Sequence, residues 1–219
     1  MAGIFIAGAT GYMGSRLVGQ LVDHGHQVKA LSRRAIDLPC DVVHGDALDA
    51  ATYAEHVVGC SSFVHLVGTP HPAPWKEKQF RAVDLASLKQ SVRAAKLAEI
   101  SHFVYVSVAH PAPAMRAYVR VRMECEEIIA ESGLSATVLR PWYVLGPGHQ
   151  WAHALRPFYW LAEHVPGTRD TAQRLGLVTI DQMTATLVRF VLSTPPQGLR
   201  VVPVPEIRSA PLMAKSASA

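Results

Sequence analysis

Apolar residues in this chain recur in short runs that alternate with longer amphipathic segments. The runs are rich in β-branched and aromatic side chains, which is typical of buried strands. The predicted strands are GIFIA, QVKAL, DVVHGD, SFVHLVG, HFVYVSV and SATVLRP, with a short strand in GLVTI and a last one in LRVVPVP.

The segments between these runs have helical periodicity. Residues 12–24 place Met13, Leu17 and Leu21 on one stripe, and Gly25 then ends the helix. Strands that alternate with helices favour an α/β fold, a doubly wound parallel sheet with helices on both faces. Further helices are predicted at residues 48–58, 82–100 and 115–132, and after GLVTI with Thr179 or Asp181 as the N-cap.

Composition and charge exclude several classes of protein. The chain has 219 residues and a formal net charge of +4 without a long basic run, which argues against nucleic-acid binding. Its three cysteines are far apart and lack CxxC spacing, which predicts free thiols in a reducing compartment. Neither a secretory signal nor an apolar run of about 18 residues is evident. We therefore expect a cytoplasmic protein without a membrane span.

The glycine stretch GATGYMG, residues 8–14, leaves the first predicted strand and opens the first predicted helix. In such a frame Gly8 permits a tight turn, Gly11 lets backbone N–H groups approach a phosphate, and Gly14 lets the helix pack close to the strand. The stretch therefore predicts a site for a dinucleotide pyrophosphate; an ordinary structural turn is the alternative.

Basic residues follow the second strand, where an NAD site usually carries an acid. The sequence there reads Ser32-Arg33-Arg34, and guanidinium groups suit a ribose 2′-phosphate. NADP(H) is accordingly favoured over NAD(H), unless both arginines are ordinary surface residues. Asp46 follows the third strand, where it would accept a hydrogen bond from the adenine amino group or cap the next helix.

Several motifs occur in a familiar order: GATGYMG, GD, FVHLVG, HFVYVSV, Tyr118-x-x-x-Arg122 with Glu126 beyond, and LRPWYVLGPG. Together, over residues 2–148, they resemble the atypical and extended branch of the short-chain dehydrogenase/reductase superfamily, the epimerase-like and NmrA-like NAD(P)-binding proteins. The resemblance implies a Rossmann sheet with the cofactor across the carboxyl ends of the strands. It assigns the pyrophosphate loop to Gly8, Thr10, Gly11, Tyr12 and Met13, the loop flanking the adenine ribose to Leu66, Val67 and Gly68, and the segment beside the nicotinamide to Pro141 through Val144.

The resemblance also assigns the catalytic Tyr-x-x-x-Lys pair to Tyr118 and Arg122. Residues four apart on a helix share one face, and a cation there would lower the pKa of the phenol from about 10. This chain departs from the family because Arg122 replaces lysine. Arginine keeps the charge, but it cannot relay a proton and its rigid fork fits ribose hydroxyls differently. The other reading of Tyr118 is an aromatic side chain packed on the sheet.

Ser107 matches the start of the family's catalytic Ser/Thr region, although SVAH lacks the usual second Ser or Thr. His110 is a candidate to polarise a substrate carbonyl in its place, or an ordinary loop histidine. His71 and Trp75, after the fourth strand, are candidate lid residues with His71 reaching the substrate. Aromatic residues beyond the sixth strand would line an apolar substrate pocket or complete the core: Trp142, Trp151, Phe158, Tyr159 and Trp160.

No metal site is predicted. His149 and His153 have i, i+4 spacing, but neither a carboxylate nor a third ligand is evident nearby in the sequence. We divide the chain into a dinucleotide-binding domain (1–148), a small substrate-side part of the same domain (149–210) and a disordered tail (211–219).

Two functions fit these residues. The first is an NADP(H)-favouring oxidoreductase or epimerase-like enzyme that acts on a small, apolar carbonyl, alcohol or quinone, with Tyr118, Arg122 and Ser107 as its catalytic residues. The second is a non-catalytic, NmrA-like dinucleotide-binding sensor or accessory subunit. The superfamily commonly dimerises, so a homodimer or a complex with a partner protein is left open.

Overall fold

A seven-stranded parallel sheet with the strand order β3-β2-β1-β4-β5-β6-β9 forms the centre of the fold. The computed structural model describes residues 3–112, 114–147 and 174–211. A separate parallel pair, β7–β8, lies outside this sheet. The strands are β1 (Gly3–Ala7), β2 (Gln27–Ser32), β3 (Asp41–His44), β4 (Ser62–His65), β5 (His102–Val106), β6 (Ala136–Arg140), β7 (Tyr143–Leu145), β8 (Leu177–Thr179) and β9 (Leu199–Pro203).

Helices cover both faces of the sheet, as the alternating sequence pattern predicts. Side chains of β1 alternate between two cores, with Ile4 and Ile6 in one and Phe5 and Ala7 in the other. The first core is closed by α1 and α6, and the second by α2, α4 and α5. The helices are α1 (Gly14–Asp23), α2 (Ala54–Val57), α3 (Glu77–Gln79), α4 (Ala86–Leu97), α5 (Arg116–Glu131), α6 (Ile180–Val191) and α7 (Val204–Arg208).

The register of the sheet brings the carboxyl ends of the central strands to one edge. Ala7 at the end of β1 lies opposite Leu31 of β2 and His65 of β4, and His65 lies opposite Tyr105 of β5. The segments that follow these strands therefore meet along this edge, where open α/β sheets bind their ligands.

Two predicted helices differ from those observed. The segment 48–58 is divided into a 3₁₀ turn (Ala50–Thr52) and α2, because Tyr53 between them has a non-helical backbone and stacks its buried ring on Phe5. The helix predicted at residues 82–100 begins earlier, at α3. A π-helical turn, Phe80–Leu85, joins α3 to α4, and such turns mark functional sites in many proteins.

The N-cap that the sequence left open is Thr179. Its hydroxyl accepts a hydrogen bond from the backbone N–H of Gln182, and the Gln182 side chain returns a bond to the Thr179 N–H. This capping box fixes the start of α6. Further along the chain, β9 pairs with β6 and forms the last strand of the main sheet. Across the described ranges, no helix is long and apolar enough to cross a bilayer.

Two buried histidines are expected to make the protein acid-labile. Burial lowers the pKa of His65 to about 3 and that of His102 to about 4. Both are neutral in the folded state but become protonated in the unfolded chain below about pH 6.5, so stability is lost as the pH falls through this range. Between pH 7.5 and 5.5 the free energy of unfolding should fall by about 2–3 kcal/mol.

Urea denaturation at the two pH values measures this loss. The variant His65→Asn should remove about half of the pH dependence, whereas His44→Gln, at an exposed histidine, should leave it intact. Equal stability of the natural protein at both pH values would contradict the assignment.

Candidate functional site

A cleft of about 350 Å³ opens at the carboxyl edge of the sheet, among the segments that follow β1 to β4. Most of the residues that the sequence predicts to bind the cofactor line it. They are Gly8, Thr10, Gly11, Ser32, Arg33, Asp46, Leu66, Val67 and Gly68.

The glycines of the first loop are required by its geometry. Gly8 has a φ of +91°, and a Cβ there would come within 2.7 Å of the Leu66 carbonyl carbon. A Cβ on Gly14 would overlap the Gly8 carbonyl oxygen and approach the Ala9 Cα to 2.8 Å. The loop thus combines a left-handed turn, an open cleft wall and a helix packed against the strand, and this geometry fits a pyrophosphate at the N-terminus of α1.

The two arginines after β2 occupy different positions. The Ser32 hydroxyl donates to the Arg34 carbonyl at 2.8 Å and accepts from the Arg34 N–H at 3.2 Å. This local turn leaves Arg33 lining the cleft, while the Arg34 side chain is exposed and is absent from the described cleft lining. The basic character predicted for this corner therefore comes from Arg33.

Asp46 lines the cleft and also stabilises its own turn. One carboxylate oxygen accepts from the Leu48 N–H at 3.0 Å. The N-cap of the following 3₁₀ turn is Asp49, whose carboxylate accepts from the Ala51 N–H. Asp46 thus does not cap that helical turn. Because it lines the cleft, its contact with the adenine stays a prediction.

A second cavity, here called the inner chamber, has a volume of about 150 Å³ and shares Leu66 with the cleft. It brings together the three residues predicted to be catalytic: Ser107, Tyr118 and Arg122. The other walls are apolar, namely Met13, Leu66, Pro72, Val106, Val108, Pro141, Trp142 and Val144.

The Arg122 guanidinium is buried beside the inner chamber, and both of its terminal nitrogens donate to protein partners. It donates to the Asp84 carboxylate at 2.7 Å, to the Tyr105 hydroxyl at 2.9 Å and to the Val106 carbonyl at 3.1 Å. A Cβ on Gly68 would overlap this guanidinium, so it lies directly beneath the cleft wall. Its cation is thus already neutralised by the ion pair with Asp84.

Asp84 is a site residue that the sequence analysis missed. It is fully buried in the π-helical turn, and its second oxygen accepts from the Thr69 N–H at 2.9 Å and from the Thr69 hydroxyl at 2.6 Å. A carboxylate among the apolar positions of a predicted helix was the available signal. Asp84 ties the loop after β4 to α5 through Arg122.

Tyr118 lies beside Arg122 and Phe80. Its ring centroid is 5.0 Å from the Arg122 guanidinium carbon and 5.0 Å from the Phe80 ring, which meets it edge-on. Burial raises the pKa of Tyr118, and this outweighs the lowering by Arg122. The expected lowering by Arg122 is thus present, but the pKa of Tyr118 is raised overall, because the ring is enclosed and Asp84 adds a negative charge.

Ser107 is hydrogen-bonded to a carboxylate of α5. Its hydroxyl donates to the Glu126 carboxylate at 2.5 Å, and the same carboxylate forms an ion pair with Arg140. The Nε2 atom of His110 is 3.4 Å from Glu126. His110 lines a different cavity, together with Glu126 and Arg140, and this departs from the substrate contact expected for it.

Three further predicted residues, Tyr12, His71 and Trp75, are absent from the described linings of the cleft and the inner chamber. The Tyr12 hydroxyl lies against Gly146, where a Cβ would overlap it, and the Arg16 guanidinium covers the Tyr12 ring at 4.6 Å. His71 lies between Pro70 of the cleft and Pro72 of the chamber, with its side chain exposed. Trp75 is 83% exposed and extends from the loop after β4. Six residues that the sequence analysis considers lie outside the described ranges: His149, Trp151, His153, Phe158, Tyr159 and Trp160.

Comparisons with known proteins agree with this geometry. The NAD(P)H-binding family model matches residues 8–151. Among curated relatives, the 3-diazoavenalumate denitrifying reductase of a Streptomyces species is 30% identical over 99% of this chain and 82% of its own length. The ceramide reductase of Caulobacter vibrioides is 26% identical over 90% of this chain, which spans 62% of that protein. The photosystem II assembly factor Ycf39 of Cyanophora paradoxa is 26% identical over 63% of this chain and 44% of its own length.

Solved structures share the fold at lower identity. The UDP-N-acetylglucosamine 4-epimerase from Bacillus cereus superposes with a TM-score of 0.70 at 18% identity, over 93% of this chain and 79% of that one. The Bordetella bronchiseptica enzyme WbmH in complex with NAD⁺ gives a TM-score of 0.70 at 21% identity, over 94% of this chain and 79% of that one. The chain belongs to the NAD(P)H-binding family.

Proposed function

We propose that this protein is an NADP(H)-dependent reductase of a small, apolar carbonyl compound or quinone. The supporting observation is that the glycine-lined cleft and the inner chamber share the Leu66 wall. A dinucleotide held at Gly8 and Gly11 would therefore extend toward Tyr118. The reductases among the relatives agree with this chemistry.

The residues of the cleft fit a dinucleotide. A Cβ at Gly8 would clash with the loop after β4. The open space beside Gly11 would let a pyrophosphate reach the backbone N–H groups. Arg33 would bind the 2′-phosphate through charge-assisted hydrogen bonds. When bound, NADPH supplies the hydride; this chain's own residues bind it, orient the substrate and provide the proton.

Tyr118 is the proton donor in this proposal. Because the pKa of Tyr118 is raised by its burial, the phenol is protonated at neutral pH, which is the form that carbonyl reduction needs. Arg122 stabilises the phenolate that remains after the transfer. Ser107 has a supporting role, since its hydroxyl proton is committed to Glu126.

The chamber favours an apolar, uncharged substrate. Its described lining is hydrophobic apart from Ser107, Tyr118 and Arg122, and the Arg122 charge is neutralised by Asp84. A carboxylate or phosphate group on the substrate would meet no free cation among these residues. A ketone, an aldehyde or a quinone with apolar substituents fits this lining.

A side-by-side titration with NADPH and NADH tests the cofactor assignment. Energy transfer from tryptophan to the nicotinamide reports binding. We expect tighter binding of NADPH, whereas equal affinities would refute the preference and binding of neither would refute the cofactor site.

Arg33 carries the expected preference. The variant Arg33→Ala should weaken NADPH binding by about 10- to 100-fold, the loss of one or two charge-assisted hydrogen bonds, and leave NADH binding nearly unchanged. Arg34→Ala is the matched control, since the Arg34 side chain is exposed outside the cleft. Isothermal titration measures both; an equal effect of the two variants would contradict the role of Arg33.

A non-catalytic role is the second candidate. Arg122 and Ser107 are both held by internal carboxylates, an arrangement that a purely structural site would also have, and one relative is an assembly factor. This role predicts cofactor binding without hydride transfer to any carbonyl compound. Saturable, stereospecific NADPH oxidation would exclude it.

A further inference from the structure

We propose that Asp84 is a positioning residue: by neutralising the Arg122 cation next to Tyr118, it keeps Tyr118 in its protonated, proton-donating form near neutral pH. This inference rests on the proposed reductase function, because it concerns the state of the proton donor. It assigns a role to a buried acid that the glycine loop and the Tyr118–Arg122 spacing do not reveal.

The ion pair is enclosed and rigid. The Asp84 side chain is 0% exposed and that of Arg122 is 7% exposed, with 2.7 Å between their nearest oxygen and nitrogen. Charges in such a buried place are poorly screened, so an uncompensated guanidinium would act strongly on a phenol whose ring lies 5.0 Å away. Asp84 opposes this field with a charge of the other sign.

Asp84 itself has little freedom to move. Its second oxygen is held by the backbone N–H and the hydroxyl of Thr69. The π-helical turn that carries Asp84 also carries Phe80, which packs edge-on against the Tyr118 ring. One short segment therefore determines both the packing and the electrostatic surroundings of Tyr118.

Several charged and titratable groups surround Tyr118, and Asp84 is the one among them that the experiment below changes. Burial is the largest cause of the raised pKa of Tyr118; Arg122 lowers that pKa, and Asp84 and Cys125 raise it. Tyr105, which also contacts Arg122, has a pKa raised by burial and stays neutral. On the outer side of the same contact, Arg81 and Glu124 form an exposed pair at 3.1 Å, whose charges compensate each other.

The experiment compares the natural protein with Asp84→Asn, which keeps the shape and removes the charge. Reduction of 9,10-phenanthrenequinone by NADPH is followed from neutral to alkaline pH, and kcat/KM should fall where Tyr118 ionises. We expect this fall to occur about one pH unit lower in Asp84→Asn, the shift that one nearby charge typically causes. Tyrosinate absorbance, taken as the difference from the same protein carrying Tyr118→Phe, should show the same shift.

Thr69→Val is the matched control, because it removes a hydrogen bond to the same carboxylate without changing the charge. An unchanged pH profile in Asp84→Asn, or an equal shift in Thr69→Val, would overturn the proposal. If Asp84→Asn does not fold, the tyrosinate difference on the natural protein decides: ionisation of Tyr118 clearly below pH 10 would overturn it. Failure of the natural protein to reduce any apolar aldehyde, ketone or quinone would refute the reductase function, and the absorbance titration would still test the effect of Asp84.

Discussion

Replacing Tyr118 by phenylalanine is expected to lower kcat for carbonyl reduction by about 10²- to 10⁴-fold, the usual contribution of a positioned proton donor. The ring would keep its contacts with Phe80 and Arg122, so folding and NADPH binding should be nearly unchanged. Stopped-flow NADPH oxidation gives the rate, and fluorescence titration gives the affinity. A loss confined to kcat would identify an interaction made in the transition state.

Tyr53→Phe is the matched control for this experiment. Tyr53 is fully buried in the core on one face of the sheet and is not part of the chamber lining, so removing its hydroxyl should leave turnover intact. Full activity of Tyr118→Phe would eliminate Tyr118 as the proton donor. Equal losses in both variants would point to a general effect of losing a buried hydroxyl.

Replacing Arg122 by methionine is expected to lower the free energy of unfolding by about 3–5 kcal/mol, because it leaves the Asp84 carboxylate buried without its cation. That is a large share of the total stability of a typical domain. Urea denaturation followed by circular dichroism measures the change. The same variant would also release the Tyr105 hydroxyl and the Val106 carbonyl from their hydrogen bonds.

The exposed pair Arg81–Glu124 is the control for this loss. Its charges are about as close, at 3.1 Å, but lie in solvent, so Arg81→Met should cost at most about 1 kcal/mol. The double variant Arg122→Met, Asp84→Asn should recover a large part of the stability, since neither charge of this pair then remains. Equal costs for Arg122→Met and Arg81→Met would show that the buried pair contributes no more than a surface pair.

Local patterns were sufficient to predict most of the fold. The apolar runs separated by amphipathic segments predicted the strands and helices of the central sheet, because parallel strands are buried on both faces and their crossovers need helices. The glycine loop was also predictable, because Gly8 and Gly14 stand at positions where the backbone leaves no room for a Cβ. The break at Tyr53 was not, because it depends on the contact of that ring with Phe5.

The site was predicted less completely, because its electrostatics depend on residues distant in the sequence. Spacing alone places Tyr118 and Arg122 on one helical face, but it cannot show that Asp84 approaches Arg122 from another element. The spacing accounts for the lowering of the pKa of Tyr118 by Arg122, but it could not show that burial and Asp84 raise this pKa overall. The engagement of Ser107 and His110 with Glu126 likewise follows from tertiary packing.

The most direct test of the central claim is the transfer of deuterium from NADPH labelled on one face of C4 to the carbonyl carbon of an apolar aldehyde or ketone. Of the two NADPH stereoisomers deuterated at C4, one is expected to give deuterated alcohol and the other unlabelled alcohol, and Tyr118→Phe should form almost no alcohol with either. Binding of NADPH without any label in the product would contradict the claim that this site is a reductase.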